Sequence, residues 1–284
     1  MKKRKYLIIA VFLAAAAVTF LINGQMNKRV ILTSYTVSSE KIPENFDRYK
    51  ILVISDLHNA DFVSQIVEIA EKAEPDIVVF TGDMVQLPDD CADSACEIAE
   101  ALSEKAEIYG VSGNHETDNY GYYDIIERLE YNKVKMLEND SVILEKNGDK
   151  ICLAGLKDPK HKIVSEGKYE KIYRKLEGIM PKEEMFTVLL NHRASMYPRL
   201  KNCGADLILS GHLHGGIIRL LFVGGVIDEN RGFFPKYDYG RFEEDDGAVM
   251  IVSGGCDKNP EKPRFFNPPE VVLVTLEAER ENDE

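Results

Sequence analysis

The sequence predicts an α/β protein whose short, buried strands end abruptly in polar side chains and lead into helices. Two observations carry that prediction. An apolar run closing on polar or glycine residues, followed by a stretch of helical spacing, recurs through the first half and returns later. Between the halves, Asn147-Gly148 sits between two strand-like runs and marks a β-hairpin. Strands alternating with helices imply substantial parallel pairing, and such sheets present ligand sites at the carboxyl ends of their strands. Two layers of sheet with helices outside accommodate the order.

The elements follow in sequence. Val30 to Ser38 is rich in β-branched residues and reads as a first strand. Lys50 to Ser55 runs into Asp56-Leu57-His58, and Val63 to Ala73 has helical spacing with Val63, Ile66, Val67 and Ala70 on one face. Asp76 to Phe80 runs into Thr81-Gly82-Asp83, and Ala92 to Lys105 reads as helix. Ile108 to Ser112 runs into Gly113-Asn114-His115-Glu116. Val142 to Glu145 and Lys150 to Ala154 form the hairpin, and Lys168 to Leu176 a surface helix. Phe186 to Leu190 then runs into Asn191-His192, and Ala205 to Ser210 into Gly211-His212-Leu213-His214. Val249 to Ser253 and Val271 to Leu276 supply late strands, and the charged end from Glu277 onward is expected to fray.

At 284 residues and 44% hydrophobic, with no internal repeat and no low-complexity linker, the chain suits one domain behind a short leader. Residues 1–24 are that leader, and 25–284 the domain. Lys2, Lys3, Arg4 and Lys5 precede an uncharged apolar run from Tyr6 to Ile22, at the short end of what spans a hydrocarbon core of ~30 Å. Ala14 to Ala17 would suit a signal peptidase, but the run stays apolar beyond them, which favours an uncleaved signal anchor. The basic residues then stay cytoplasmic, giving a single-pass protein of the cell membrane with its domain outside.

Net charge is -13. Without the basic residues at positions 2–5, 31 basic side chains face 48 acidic ones, or -17. A stable nucleic-acid partner bound through a basic face is excluded. Anionic substrates are repelled at long range unless bound cations reverse the field locally. The five cysteines show no paired zinc spacing. Cys152 and Cys203 read as buried thiols; Cys91 and Cys96 could pair in an oxidising space.

Five of the six histidines lie at or just after the ends of apolar runs: His58, His115, His192, His212 and His214. One such residue is ordinary loop chemistry, whereas five at successive strand ends are hard to ascribe to packing. Imidazole and carboxylate are the ligands that zinc, iron and manganese favour. If their strands continue, Asp56 and His58 point the same way, as do His212 and His214, because side chains alternate with period two. Asp83 has two oxygens and can bridge two cations, Asn114 offers a neutral amide oxygen, and His192 completes a second ligand set.

Taken together and in order, Asp56-Leu57-His58, Gly82-Asp83, Gly113-Asn114-His115-Glu116, Asn191-His192 and Gly211-His212-Leu213-His214 resemble the signature of the calcineurin-like metallophosphoesterase superfamily. The membrane-anchored bacterial branch is the most similar in length and order. The resemblance implies a four-layer αββα sandwich, two mixed sheets flanked by helices. It implies two divalent or mixed-valence metal ions, of manganese, iron or zinc. One would take Asp56, His58, Asp83 and His214, the other Asp83, Asn114, His192 and His212. It implies hydrolysis of phosphomonoester, phosphodiester or pyrophosphate bonds by a water activated between the metals, with His115 as catalytic residue, protonating the leaving oxygen or stabilising its charge. The substrate is then a phosphorylated small molecule or lipid. A pyrophosphatase of lipid precursors, of the UDP-sugar-lipid type, is the alternative within the enzyme class, and a non-catalytic metal-binding protein on the same fold the alternative outside it.

Two departures matter. Met84-Val85-Gln86-Leu87 replaces the aspartate-arginine-glycine run of protein phosphatases, which argues against that role. Ile217 stands after Gly215-Gly216 where related bacterial members often have Gln. Arg193 and Arg219 could bind phosphate, Asp158 reads equally as a turn residue, and Asn119 to Tyr123 could wall the cleft. Phe233, Phe234, Tyr237, Tyr239 and Phe242 form an aromatic loop that packs on itself or meets a bilayer.

Overall fold

Apolar runs without alternation are what strands buried on both faces require. The computed structural model describes residues 2–159, 166–220, 222–227, 232–243, 247–258 and 264–280. A long helix, α1 (Lys2–Met26), precedes β1 (Ile31–Ser39), a short 3-10 turn and β2 (Lys50–Ile54). Then come α2 (Val63–Ala73), β3 (Ile77–Phe80), α3 (Asp93–Leu102), β4 (Glu107–Gly110), the single turn α4 (Asn114–Thr117), α5 (Tyr122–Tyr131) and β5 (Val134–Met136). The hairpin β6 (Asp140–Lys146) and β7 (Asp149–Leu156) leads to α6 (Glu166–Ile179), β8 (Thr187–Arg193), α7 (Tyr197–Leu200) and β9 (Leu207–Gly211). The chain closes with β10 (Ile218–Leu220), β11 (Gly224–Ile227), β12 (Gly240–Phe242), β13 (Val249–Val252) and β14 (Glu270–Ala278).

Two six-stranded sheets result. The first runs β1-β14-β2-β3-β4-β5 and the second β12-β13-β9-β8-β7-β6. Both are mixed: β2 to β5 are parallel, β14 lies antiparallel to β2, and β6 and β12 lie antiparallel to β7 and β13. Alternate residues of each strand face different layers. Ile51, Val53, Ile77 and Val79 meet Val188, Leu190, Leu207 and Leu209 between the sheets. Leu52, Ile54, Val78 and Phe80 pack outward on α2, α3 and α5, while Leu189, Ile208 and Met250 pack on the α6 and α7 side. This is the four-layer αββα sandwich.

Where the elements depart from the sequence reading, pairing explains it. The chain does not fray at Glu277, because β14 zips in parallel to β1 as far as Ser39↔Ala278; residues 281–284 lie outside the described residues. Cys91 and Cys96, which could pair only in an oxidising space, are free thiols, and Cys203 is half-buried where the sequence suggests a buried thiol.

Helix α1 is apolar, 24 of its residues are long enough to cross a membrane, and it is exposed along nearly its whole length. Among the described residues, its hydrogen bonds to the domain come from its last turn and the residue just after it. The Asn23 and Asn27 amides donate to the Arg264 carbonyl at 2.9 and 2.7 Å, and Phe266 N–H donates to Asn23 Oδ1 at 2.7 Å.

Leu209 is fully buried between the sheets. Leu209→Ala is expected to lower stability by about 2–5 kcal/mol in urea denaturation, the range for a buried leucine cavity.

Candidate metal centre

Loops leaving the carboxyl ends of the central strands meet in one cleft, and they reach it by turning sharply. Strand β2 ends at Ile54 and β9 at Gly211, so neither Asp56 and His58 nor His212 and His214 share a face by strand alternation. Instead Asp56, His58, Asp83, His212 and His214 all adopt positive φ, between 48° and 77°. That conformation costs a non-glycine residue roughly 1–2 kcal/mol and persists only where surroundings enforce it. Here the loops brace one another. Asp56 N–H donates to Gly82 O at 3.0 Å, His58 N–H to Asp83 O at 3.1 Å, and Cys256 N–H to Ser55 O at 3.0 Å. His212 N–H donates to both Asp56 carboxylate oxygens, at 3.1 and 3.0 Å. Gly211 must lack a Cβ, which would collide with the Asp56 carboxylate and the Ser55 hydroxyl.

The cleft gathers three overlapping groups: Asp56, His58 and His214; His58, Asp83 and His115; and Asp83, His192 and His212, each with ligand atoms within 4.8 Å of one another. Asp83 Oδ2 lies 3.2 Å from His192 Nε2, 3.9 Å from His58 Nε2 and 4.0 Å from His115 Nε2. Asp56 Oδ1 lies 3.7 Å from His214 Nε2 and 4.0 Å from His58 Nε2. Ligands that share a cation at about 2.0–2.2 Å sit at such separations. Asn114 opens α4, and the next residue binds Asp83 through its backbone, His115 N to Oδ1 at 2.7 Å.

The donor set fits cations in a second way. His58 Nδ1 and Nε2, His192 Nε2, His212 Nδ1 and Asn114 Oδ1 are buried without a hydrogen-bond partner. Leaving such atoms unpaired ordinarily costs about 1–3 kcal/mol each. Clustered around two carboxylates, they are consistent with coordination of a metal ion.

The second nitrogen of each ring shows how that aim is fixed. His192 Nδ1 donates to Thr81 O at 2.8 Å, so Nε2, 3.2 Å from Asp83 Oδ2, is the nitrogen left to face the acid. A bulge in β8 between Leu190 and Arg193 turns His192 inward. His214 Nδ1 donates to Asp257 Oδ1 at 3.0 Å, and Arg264 Nε pairs with that oxygen at 2.7 Å. His115 is the reverse case. Its Nδ1 accepts Leu87 N–H at 2.9 Å, so the ring carries its proton on Nε2, toward Asp83. A ring held that way offers a hydrogen-bond donor and no lone pair.

Electrostatics follow from burial. Desolvation pushes His58 down to about 4 and holds His212 well below the usual histidine range. Burial opposes the charged form of His192 too, but Asp83 outweighs it and carries the ring up to about 10. His214 rises to about 9 against burial because Asp257 and Asp56 face it. Burial acts to raise Asp257, yet Arg264 and His214 hold it well below the usual carboxylate range.

A family model for calcineurin-like phosphoesterases matches residues 49–216, more than half of the chain. The chain belongs to the calcineurin-like phosphoesterase family. Two bacterial relatives match over most of their length. An uncharacterized metallophosphoesterase of Aquifex aeolicus is 30% identical, over 86% of this chain and 90% of the relative. The uncharacterized metallophosphoesterase YkuE of Bacillus subtilis is 27% identical, over 87% and 85%. A transmembrane protein with metallophosphoesterase domain from Bos taurus is 28% identical, over 87% of this chain and 57% of that protein.

Within this metallophosphoesterase site the clustered His and Asp groups are consistent with a pair of metals. Three side chains went unread in the sequence. Glu116 is buried, and its carboxylate accepts N–H bonds from Asp83, Met84, Val85 and Gly113 at 2.7–3.0 Å. Burial, then the Asp83 charge, raises it to about 7, against the Val85 and Gly113 N–H groups. It appears in the Gly113-Asn114-His115-Glu116 motif, but nothing there says it grips the Asp83 loop. Asp257 and Arg264 come from a charged stretch without periodicity. Conversely, the arginines suggested for phosphate are engaged. Arg193 pairs with Asp158 at 2.6 Å and approaches His212 Nε2 at 3.1 Å, while Arg219 Nη1 pairs with Asp238 at 2.7 Å. Asn119 donates to Asp89 O from a buried position; Tyr120 and Tyr123 face solvent.

Glu116→Ala frees the Asp83 loop and is expected to reduce metal content, read by elemental analysis after manganese loading and desalting, with the fold kept by circular dichroism. Because His192 and His214 hold protons up to about 10 and about 9, a cation near neutral pH must displace them, and affinity should rise with pH. Calorimetric titration with manganese in buffers of different ionisation enthalpy should give buffer-dependent heats reporting proton release.

Proposed function

We propose that this chain is a membrane-anchored hydrolase of phosphomonoester, phosphodiester or pyrophosphate bonds, working through two divalent cations of the manganese, iron or zinc type. The observation that carries the reading is the set of unpartnered buried ring and amide atoms converging on Asp56 and Asp83. Asp56, His58, Asp83 and His214 would hold one cation, and Asp83, Asn114, His192 and His212 the other, with Asp83 common to both. When bound, such a pair neutralises phosphate oxygens and acidifies a water for in-line attack.

The chain's own groups do the rest. Thr81 O and the Asp257 carboxylate fix the ring orientation of His192 and His214, so neither must reorganise when substrate enters. His115 presents Nε2–H beside Asp83, placed to donate a hydrogen bond to an oxygen that gains charge as the ester bond breaks. Leu87 N–H occupies Nδ1, so Nε2 is the nitrogen that can act on the reacting atoms. The net charge of -13 repels phosphates at a distance, and the bound cations reverse that field within the cleft.

Residues 1–24 are the anchor and 25–284 the catalytic domain. The basic residues Lys2 to Lys5 favour the cytoplasmic side, so the domain faces outward. The transmembrane relative from Bos taurus supports a membrane setting.

Asp83→Asn and His212→Ala are each expected to abolish hydrolysis of an aryl phosphate under manganese while keeping the circular dichroism spectrum; full activity in either would sink the reading. His115→Ala should lower kcat by about 10²–10³ with metal content unchanged, as loss of a charge-stabilising donor does.

A further inference from the structure

The turn that carries His214 is fastened to the end of the apolar helix. Asn267 Nδ2 donates to His214 O at 2.6 Å, Phe265 N–H donates to Ile217 O at 3.1 Å, and Arg219 N–H donates to Phe265 O at 2.9 Å. The same short segment receives α1, since Arg264 O accepts from Asn23 and Asn27 and Phe266 N–H donates to Asn23 Oδ1. Ile217, β-branched, is held at φ 42° between these bonds, a conformation such a residue takes only under constraint.

This geometry sets a depth. Tyr6 to Ile22 is the uncharged stretch, and Asn23 is the first polar residue after Thr19. Asn23 therefore marks where an embedded helix leaves hydrocarbon, and the 264–267 segment, bonded to it, lies at the same level. Strand β10 starts from that segment through the Ile218–Phe265 bridge, and β11 meets Phe233 through Ile227. Around these contacts Leu220, Phe222, Val223, Phe233, Phe234 and Phe266 expose between 38% and 103% of their surface. Soluble surfaces seldom cluster large apolar side chains in this way. Lys28 and Arg29, also exposed, follow the helix directly and suit a headgroup layer.

We propose that the β10–β11 hairpin and the Phe233–Phe234 turn dip into the outer bilayer surface beside the anchor, so that the metal cleft opens against the lipid headgroups. The occupant of this apolar face is lipid. The proposal rests on the anchor reading above, and the test separates the two.

The chain contains no tryptophan, so single substitutions report without background. Phe20→Trp, Phe222→Trp, Phe234→Trp and Tyr131→Trp are made in the full chain and reconstituted into vesicles of phosphatidylcholine and phosphatidylglycerol, with or without acyl-brominated phosphatidylcholine. Tyr131 ends α5, beside β5 at the sheet edge opposite β1, and is exposed. Blue-shifted emission quenched by brominated lipid at positions 20, 222 and 234, with position 131 unquenched, is the expected result. Unquenched emission at 222 and 234 alongside a quenched position 20 overturns the proposal. If that emission is nevertheless blue-shifted, a second copy or another protein covers the face instead. An unquenched position 20 overturns the anchor and, with it, the depth argument on which the hairpin's placement stands.

Discussion

Two carboxylates and several imidazoles withdrawn from water need a counter-charge, and much of this fold is arranged around that need. Asp56 and Asp83 are almost wholly buried, and among the described residues His58 Nδ1 and Nε2, His192 Nε2 and His212 Nδ1 near them make no hydrogen bond. Isolated buried charges are expensive, and protein interiors keep them only where partners or metals compensate. Without a cation, protons fill part of that role: Asp83 carries His192 up against burial, Asp257 and Asp56 carry His214 up, and burial holds His58 low.

Holding the arrangement requires backbone conformations that most residues avoid. Five of the seven proposed ligands take left-handed φ, and each is secured by a bond to a neighbouring loop and not by its own strand. Glu116 is central to this bracing because one carboxylate receives four backbone N–H groups from the two loops that carry Asp83 and Asn114. An aspartate, one methylene shorter, would not span both loops. Strain at these positions is therefore offset by hydrogen bonds one step away.

The sequence disclosed the parts that depend on local pattern. Strands such as Ile77–Phe80, buried on both faces, must be apolar throughout, so their polar ends stand out, and those ends carry the proposed ligands. The same logic revealed the amphipathic helix Val63–Ala73 and the Asn147-Gly148 hairpin. It could not reveal how the ligands converge, because strand alternation was the only local rule available and the chain leaves it at Asp56 and His212. Nor could it reveal Asp257 or the β1–β14 pairing: both depend on contacts between segments more than 40 residues apart, with no periodicity to announce them.

The β1–β14 pairing has a functional consequence of its own. By zipping the strand after α1 to the last strand, it places the 264–267 segment against the end of α1 and, through Asn267 and Phe265, against the His214 turn. An acidic domain repels anionic substrates across the several Å over which salt leaves fields unscreened. That repulsion acts on molecules arriving from bulk water. A phosphate carried at a membrane surface would instead arrive along the face where Lys28, Arg29 and an apolar hairpin replace the acidic exterior. On the proposed membrane placement, tethering the cleft to the helix end would separate the acidic exterior of the domain from the face along which substrate approaches.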